Sequence, residues 1–542
     1  MRSFKLGLVT LAIGCTFMVG CADDGKDGAP GSSGQGDVLL DLSVLGTYEA
    51  NAFDAGAAEI VAYDAPRQRL FVVNANAVTV DVIDVSDPTA PELIDTIDAS
   101  AEGASANSVA VSNGIVAVAI EADPKTDPGS VVFYSASSLA KLGEVAVGAL
   151  PDMLTFTPDG LRVLVANEGE PNADYSIDPE GSISIITVNG GTTPSAISAG
   201  FAAFNTQAAA LRGDGVRIYG PGASVAQDFE PEYIAISPDG LSAFATLQEN
   251  NAFARINLVT NTVTDILPLG YKDHRILGNE LDPSDRDGGP NLGSWPIFGM
   301  YQPDTLASYA VNGRTYYVTA NEGDARDYDT FAEEARISSL TLDTTAFPNA
   351  AALQANTALG RLNATNALGD TDSDGDFDEL YVLGGRSFSI WADDGSQVFD
   401  SGSDFERITA QRFGEDFNNN HAESAGDSRS DNKGPEPEAV AIAEFAGRAF
   451  AFIGLERIGG IMVYDISNPQ NARFVQYINR RDFSVTTEDL TDETAGAAGD
   501  LGPESLVVIP AHQSPIAGVP LLAVGNEVSG TTTLYRIDVV TP

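Results

Sequence analysis

The residues with the clearest chemical spacing lie in Asp370-Thr-Asp372-Ser-Asp374-Gly375-Asp376-Phe-Asp378-Glu379, where carboxylates fall at positions 1, 3, 5, 7 and 9 and glycine at position 6. This is the front of an EF-hand-type loop. Alternate carboxylates converge as the chain curls around a hard, oxygen-seeking cation, and glycine permits the sharp turn. Position 12 is Tyr381 in place of the bidentate glutamate, and a strand is expected after it. The pattern therefore predicts a loose, extracellular-type Ca²⁺ site with Asp370, Asp372, Asp374, Asp376 and Asp378 as ligands. The alternative is a solvated acidic loop.

A second set of acids recurs along the chain. Glu59, Asp152, Glu232, Asp304, Glu438 and Glu504 each open an apolar segment, with Asn107 in the same position of one more copy. Glu168, Glu249, Glu322, Glu456 and Glu527 each close the segment that follows. If the fold brings them together, so many like charges cannot all stay ionised unless cations compensate them. Arg326, Arg386 and Arg457 are possible partners, and a second divalent metal is the other. Glu232, Glu322, Glu438, Glu456, Glu504 and Glu527 are the candidate binding residues; the alternative is that the acids cap turns by accepting backbone N–H bonds.

Less is expected of the remaining polar clusters. Asp282-Pro-Ser-Asp285-Arg-Asp287-Gly-Gly reads as an ordinary loop in preference to a metal site. His274, His421 and His512 are the only histidines, none spaced to pair with another, and His421 is expected at the surface. No Gly-x-Ser-x-Gly elbow, phosphate-binding loop or strand-to-helix GxGxxG is present.

The elements that must position these acids are strands. Asp152-Met-Leu-Thr-Phe-Thr-Pro-Asp-Gly runs on to Val-Ala-Asn167-Glu168, and Pro231-Glu232-Tyr-Ile-Ala-Ile-Ser-Pro-Asp-Gly runs on to Leu-Gln-Glu249-Asn250. Each phrase is apolar strand, turn and second strand, and a third alternating strand follows. Seven copies are found, and a partial unit from Glu379 leaves eight as the alternative. Units of about forty residues, built from short strands with Pro-Asp-Gly turns, predict an all-β single β-propeller. Val38 to Tyr48 is expected to close the ring beside Thr531 to Asp538. The stretches 189–228, 271–300, 344–378 and 409–436 read as long polar rim insertions. In a propeller the first strand of each unit lines the central channel, so the recurrent acids would form a ring at one mouth.

The N-terminus reads as an address. Met-Arg-Ser-Phe-Lys precedes an apolar run from Leu6 to Gly20, and the chain then turns polar at Cys21-Ala-Asp-Asp. Met18-Val19-Gly20-Cys21 resembles a lipobox, with Cys15 as a weaker site and an ordinary secretory signal as the alternative. Residues 1–20 are thus expected as a lipoprotein signal, 21–37 as a glycine-rich tether lipidated at Cys21, and 38–542 as the propeller. Both cysteines fall in the N-terminal segment, which excludes disulfides and thiolate metal centres from the propeller. With 77 acidic against 29 basic residues and a formal charge of −48, nucleic acid and anionic membrane surfaces are repelled. Divalent cations are the expected partners, and the membrane is reached through the lipid alone.

Asn321-Glu-Gly-Asp-Ala-Arg-Asp, Gly384-Gly-Arg-Ser-Phe-Ser-Ile-Trp, Lys433-Gly-Pro-Glu-Pro-Glu, Ile453-Gly-Leu-Glu-Arg-Ile-Gly-Gly and Asn526-Glu-Val-Ser-Gly-Thr resemble the choice-of-anchor family of bacterial surface proteins. That family is related to the mesenchyme-specific cell-surface glycoprotein associated with biomineralisation. The resemblance covers nearly all of residues 40–540. It implies a propeller outside the cell, variably anchored, with a link to calcium-rich surfaces. Bacterial relatives are often labelled alkaline phosphatase. Two functions follow: a lipid-anchored, calcium-binding surface or scaffold module at the outer membrane or cell surface, or a metal-dependent phosphoesterase using the channel-mouth carboxylates on an unknown ester. Whether the chain is an enzyme stays open at this point.

Overall fold

Each recurrent phrase begins with a strand, and a hydrogen-bonded turn sends it back. In Thr157-Pro-Asp-Gly160 the Thr157 carbonyl accepts from Gly160 N at 2.7 Å, while Asp159 Oδ1 accepts from Thr157 Oγ1 at 2.7 Å and Leu161 N at 3.0 Å. Gly160 sits at φ +68°, where a side chain would be strained. Ser237-Pro-Asp-Gly240 repeats the turn, its Gly240 N bonded to Ser237 O at 2.8 Å.

The computed structural model describes residues 38–540, and the expected signal, the tether and Cys21 lie outside them. Among the described residues these phrases build seven four-stranded antiparallel sheets. Their first strands are Val61–Asp64, Ser105–Ser112, Pro151–Phe156, Pro231–Ile236, Leu306–Val311, Pro437–Phe445 and Pro503–Ile509. One apolar core fills each gap between neighbouring sheets. Phe71 and Val82 of the first sheet pack with Val109 and Val118 of the second, and the same holds for each following pair. The seventh sheet packs back on the first through Leu521, Ile509, Leu70 and Val72. The sheets thus close into a ring, a β-propeller.

Closure uses both ends of the described chain. Leu39–Glu49 is the outer strand of the last sheet, antiparallel to Thr531–Val540, with Leu39 opposite Val540 and Glu49 opposite Thr531. Its inward residues Leu40 and Leu42 are buried in the core between the sixth and seventh sheets.

Two expectations change. The partial unit after Glu379 makes no sheet of its own. Ser387–Ala392 and Gln397–Asp400 are the outer strands of the fifth sheet, while Tyr381–Val382 joins Tyr271–Asp273 and Phe298–Met300 in a small three-stranded sheet. The stretches read as polar insertions also carry structure. Ser195–Gly200 is the fourth strand of the third sheet, and residues from 271–300 and 344–378 share a satellite core that includes Leu281, Ile297, Phe347, Leu353 and Leu359. Scattered leucines among many polar residues hid that core, because its apolar side chains meet only after the chain has folded back.

Candidate functional site

The ring acids are aimed by a common backbone irregularity. In four first strands the ladder slips beside the acid: between Pro151 and Leu154, Pro231 and Ile234, Pro437 and Val440, and Pro503 and Ser505. A fifth slip, between Ala106 and Ser108, carries Asn107. A β-bulge takes residues off the ladder and redirects their side chains, and here it turns Asp152, Glu232, Glu438 and Glu504 toward the channel. Proline at the first position suits such a strand, since it has no N–H to give to the ladder. Glu59 and Asp304 precede their strands and reach the same space.

The second-strand acids arrive through backbone bonds to the approach of the first strand. Glu168 N donates to Leu150 O at 3.0 Å, Glu456 N to Glu436 O at 2.8 Å and Glu527 N to Gly502 O at 2.8 Å. The result is an axial cavity of about 400 Å³. Asp152, Glu232, Glu438 and Glu504 line it from the first strands, Asp304 from the approach to one, and Glu168, Glu322, Glu456 and Glu527 from the ends of the second, with Asp324, Gln248, Lys433 and Arg457 completing the wall. All six candidate binding residues therefore meet in one space. Glu59 lines an adjoining cavity of about 290 Å³.

The turn-capping alternative describes other acids. Asp159 and Asp239 accept backbone N–H bonds in the Pro-Asp-Gly turns, and Asp228 accepts from Tyr219 N and Gly220 N. In the ring, by contrast, Glu232 Oε2 and Glu438 Oε2 are buried with no hydrogen-bond partner among the described residues. Both residues are only 9% exposed.

Enclosure raises these carboxyls, because an anion loses water there and faces other anions. Several keep access to solvent through the cavity, yet protein surrounds them on every other side. Burial, followed by Glu527 and Asp152, pushes Glu59 up to about 8. Burial, followed by Glu170 and Glu121, takes Asp152 to about 7. Glu232, Asp304, Glu438 and Glu504 are raised well above the usual range by burial first and neighbouring carboxylates second. Glu456 rises to about 8 through burial, against Arg457 and with Glu436 and Glu322.

Only one wall carries basic groups. Lys433 donates to Glu322 and lies 3.2 Å from Glu436 Oε2. Arg457 contacts Glu436 and Glu456, each at 3.1 Å. Burial alone would lower the Lys433 ammonium, but Glu322, Glu436, Asp324 and Glu456 hold it well above its ordinary value. Glu436 is buried too, yet Lys433, Arg429 and Arg457 keep its carboxylate far below the normal range. Of the three arginines considered as partners, Arg457 alone reaches the cavity. Arg326 is taken by Asp228 and Glu230, and Arg386 by Glu406 and the carbonyls of Asp282 and Ser430.

His421 corrects a surface expectation, for it is buried beside the same mouth. Its Nε2 faces Arg457 and its Nδ1 lies 3.6 Å from Glu456 Oε1. Burial and then Arg457 depress it to about 3, so it is neutral at physiological pH. Lys433, Asp324 and Glu436 join the site without having been expected there. Lys433 and Glu436 stand in the Lys-Gly-Pro-Glu-Pro-Glu phrase just ahead of a first strand, which was the available signal.

Five donor groups among the described residues have metal-like spacing, one of them His421, Glu456 and Glu527 at the mouth. Glu322, Glu438 and Glu456 each place an oxygen within 4.8 Å of the others, all buried. Asp370, Asp372 and Asp374 do the same at the surface. Asp370 also accepts from Asp374 N at 3.2 Å and Gly375 N at 3.1 Å, as the curled loop requires. The five aspartates do not share one point, however. Asp376 and Asp378 gather with Asp343, because Phe377 is tied to the 341–343 segment by Phe377 N to Thr341 O at 2.8 Å and Asp343 N to Phe377 O at 3.0 Å. The remaining group, Asp282 with Asp287 and Asp427, is largely loop structure, since Asp282 accepts from Ser284 N and Asn291 N.

Several known proteins are similar to this chain. Gigasin-3a of Magallana gigas is 32% identical over 193 residues, covering 34% of this chain and 66% of that protein. The mesenchyme-specific cell surface glycoprotein of Strongylocentrotus purpuratus is 26% identical over 246 residues, covering 38% of this chain and 30% of that protein. Each match thus spans less than two thirds of the relative's own length. Among solved structures, Kuenenia stuttgartiensis hydrazine synthase aligns with a TM-score of 0.45 at 13% identity, over 90% of this chain and 97% of that one. The β-propeller domain of Cps50 (Swd1) from Myceliophteria thermophila aligns with a TM-score of 0.42 at 9% identity, over 90% and 98%. The model of the choice-of-anchor I domain matches residues 59–469, most of the chain. The protein belongs to the choice-of-anchor I domain family.

Proposed function

We propose that this chain is an exported surface module, held to the cell envelope by a lipid on Cys21, whose propeller binds divalent cations, Ca²⁺ foremost, and presents them to an extracellular partner. The observation that carries the reading is the Glu322, Glu438 and Glu456 group, with Glu438 Oε2 buried and unpartnered at the cavity. An orphaned buried carboxylate oxygen beside two more carboxylates suits a hard cation with oxygen ligands. The Asp370, Asp372 and Asp374 group supplies a second, surface position. Family membership, the formal charge of −48 and the lipobox-like Met-Val-Gly-Cys21 support the surface setting. No helix among the described residues is long and apolar enough to cross a membrane.

The test is thermal denaturation and calorimetry of the purified protein, chelated and then titrated with CaCl₂. A ligand at a hundred times its Kd stabilises by about 2.7 kcal/mol. Glu438→Gln should remove the buried site's share and Asp372→Ala with Asp374→Ala the surface share. Absence of any saturable Ca²⁺ response in the unmodified protein would defeat the proposal. A generic phosphomonoester and a phosphodiester belong in the same experiment, since metal-dependent turnover lost in Glu438→Gln would favour the phosphoesterase reading over the binding module.

A further inference from the structure

The channel changes character along its length. Its acidic cavity is followed by the second, of about 290 Å³, and by a third of about 290 Å³. Asp152, Asp304 and Glu504 line the first two, while Met153 and Tyr233 line the last two. The order follows from the strands. Each acid sits at the start of its first strand, and the next residues inward, Met153 after Asp152 and Tyr233 after Glu232, are apolar or aromatic. The third cavity continues with Phe156, Leu306 and Val440.

Among the described residues the channel carboxylates with metal-like spacing, Glu322, Glu438 and Glu456, line the first cavity. The second has a mixed lining, in which the carboxylates Glu59, Asp152, Asp304 and Glu504 share the wall with Ile60, Ala75, Met153 and Tyr233. No lysine or arginine lines that cavity, so Asp152, Asp304 and Glu504 face it without a basic neighbour. The two buried, unpartnered carboxylate oxygens, Glu232 Oε2 and Glu438 Oε2, stand in the adjoining wall at the same mouth.

The geometry points to an amphipathic organic ammonium ion as a ligand of the channel, its nitrogen at the level of Asp152, Asp304 and Glu504 and its apolar substituent running past Met153 and Tyr233. An ammonium group presents N–H donors to carboxylate oxygens and tolerates an apolar surface on its carbon side. This inference rests on reading the channel as a cation site, but it asks for a different cation from the one proposed for the Glu322 group.

The experiment is calorimetric titration of the purified, chelated protein with ammonium, ethylammonium, butylammonium and hexylammonium chlorides, and separately with CaCl₂. Affinity is expected to rise about four-fold per methylene along the alkyl series. Met153→Gln should flatten that rise while leaving Ca²⁺ affinity unchanged, and Asp304→Asn should weaken every ammonium. A flat series on the unmodified protein, with Ca²⁺ still bound, overturns the inference alone. If neither Ca²⁺ nor any ammonium binds, the cation reading of the channel falls with it. The series is run on the unmodified protein, so the outcome does not depend on a variant folding.

Discussion

The Lys433 ammonium donates to the Glu322 carboxylate, although 111 positions of sequence separate the two residues. The bond ties the loop ahead of the sixth sheet to the end of a strand in the fifth, inside a cavity whose other walls carry only acids and one glutamine. Lys433 also lies beside Glu436, which it shares with Arg429 and Arg457.

Lys433→Met should therefore destabilise the protein by about 3–5 kcal/mol, the usual result of stranding a buried charge. Urea unfolding at neutral pH measures it, and Lys433→Arg should recover part of the loss. A change under about 1 kcal/mol would show that solvent in the cavity already screens Glu322 and Glu436.

Stability should fall as pH rises. Glu59 and Glu456 are raised to about 8 and Asp152 to about 7, against roughly 4 in an unfolded chain. The folded state binds these protons more tightly, so their contribution is fully present below about pH 4 and is lost as pH passes through 7 to 8. Melting curves between pH 5 and 8.5 in chelator should show a declining midpoint, and Ca²⁺ should offset the decline by replacing protons as counter-charge. A midpoint that climbs across this window would contradict the assignment.

The closing strand should be a point of fragility. Leu42 is 3% exposed in the core between the last two sheets, and Leu42→Ala should cost about 2–5 kcal/mol. The exposed neighbour Ser43 provides the control, since Ser43→Ala should fall within about 0.5 kcal/mol of the parent.

Gly323 holds Glu322 in place. It sits at φ +96°, and an added Cβ would run into the backbone of Gly384. Gly323→Ala should cost about 1–3 kcal/mol from the backbone conformation alone, and more from the clash. Loss of Ca²⁺ affinity at the buried group should accompany the loss of stability, and the two are separable by titrating at low temperature, where the variant is still folded.

Whatever repeats in this chain is legible in its sequence. The opening acid recurs ahead of an apolar strand, so the repeat alone brings Asp152, Glu232, Glu438 and Glu504 to one mouth. The order of the strands and the pairing of residues 38–48 with the C-terminal strand are legible for the same reason. What stays hidden is unrepeated. Lys433, Asp324 and His421 occur once each and reach the mouth through loops, where no period announces them. Asp343 joins Asp376 and Asp378 only because Phe377 pairs with its segment. Ser195–Gly200 carries little strand signal, since Ser-Ala-Ile-Ser-Ala-Gly has one β-branched apolar residue, and its strand form comes from pairing with Ser182–Thr187.

The antiparallel pairing of Leu39–Glu49 with Thr531–Val540 also determines how the molecule bears mechanical load. A pull at residue 38 directed along the strand axis meets the rungs of the ladder crosswise. The rungs then share the force together, as a lap joint does, and do not open one at a time like a zipper. A propeller held by its N-terminus in flow would be gripped along that seam, and its ring would open only when the whole joint slides.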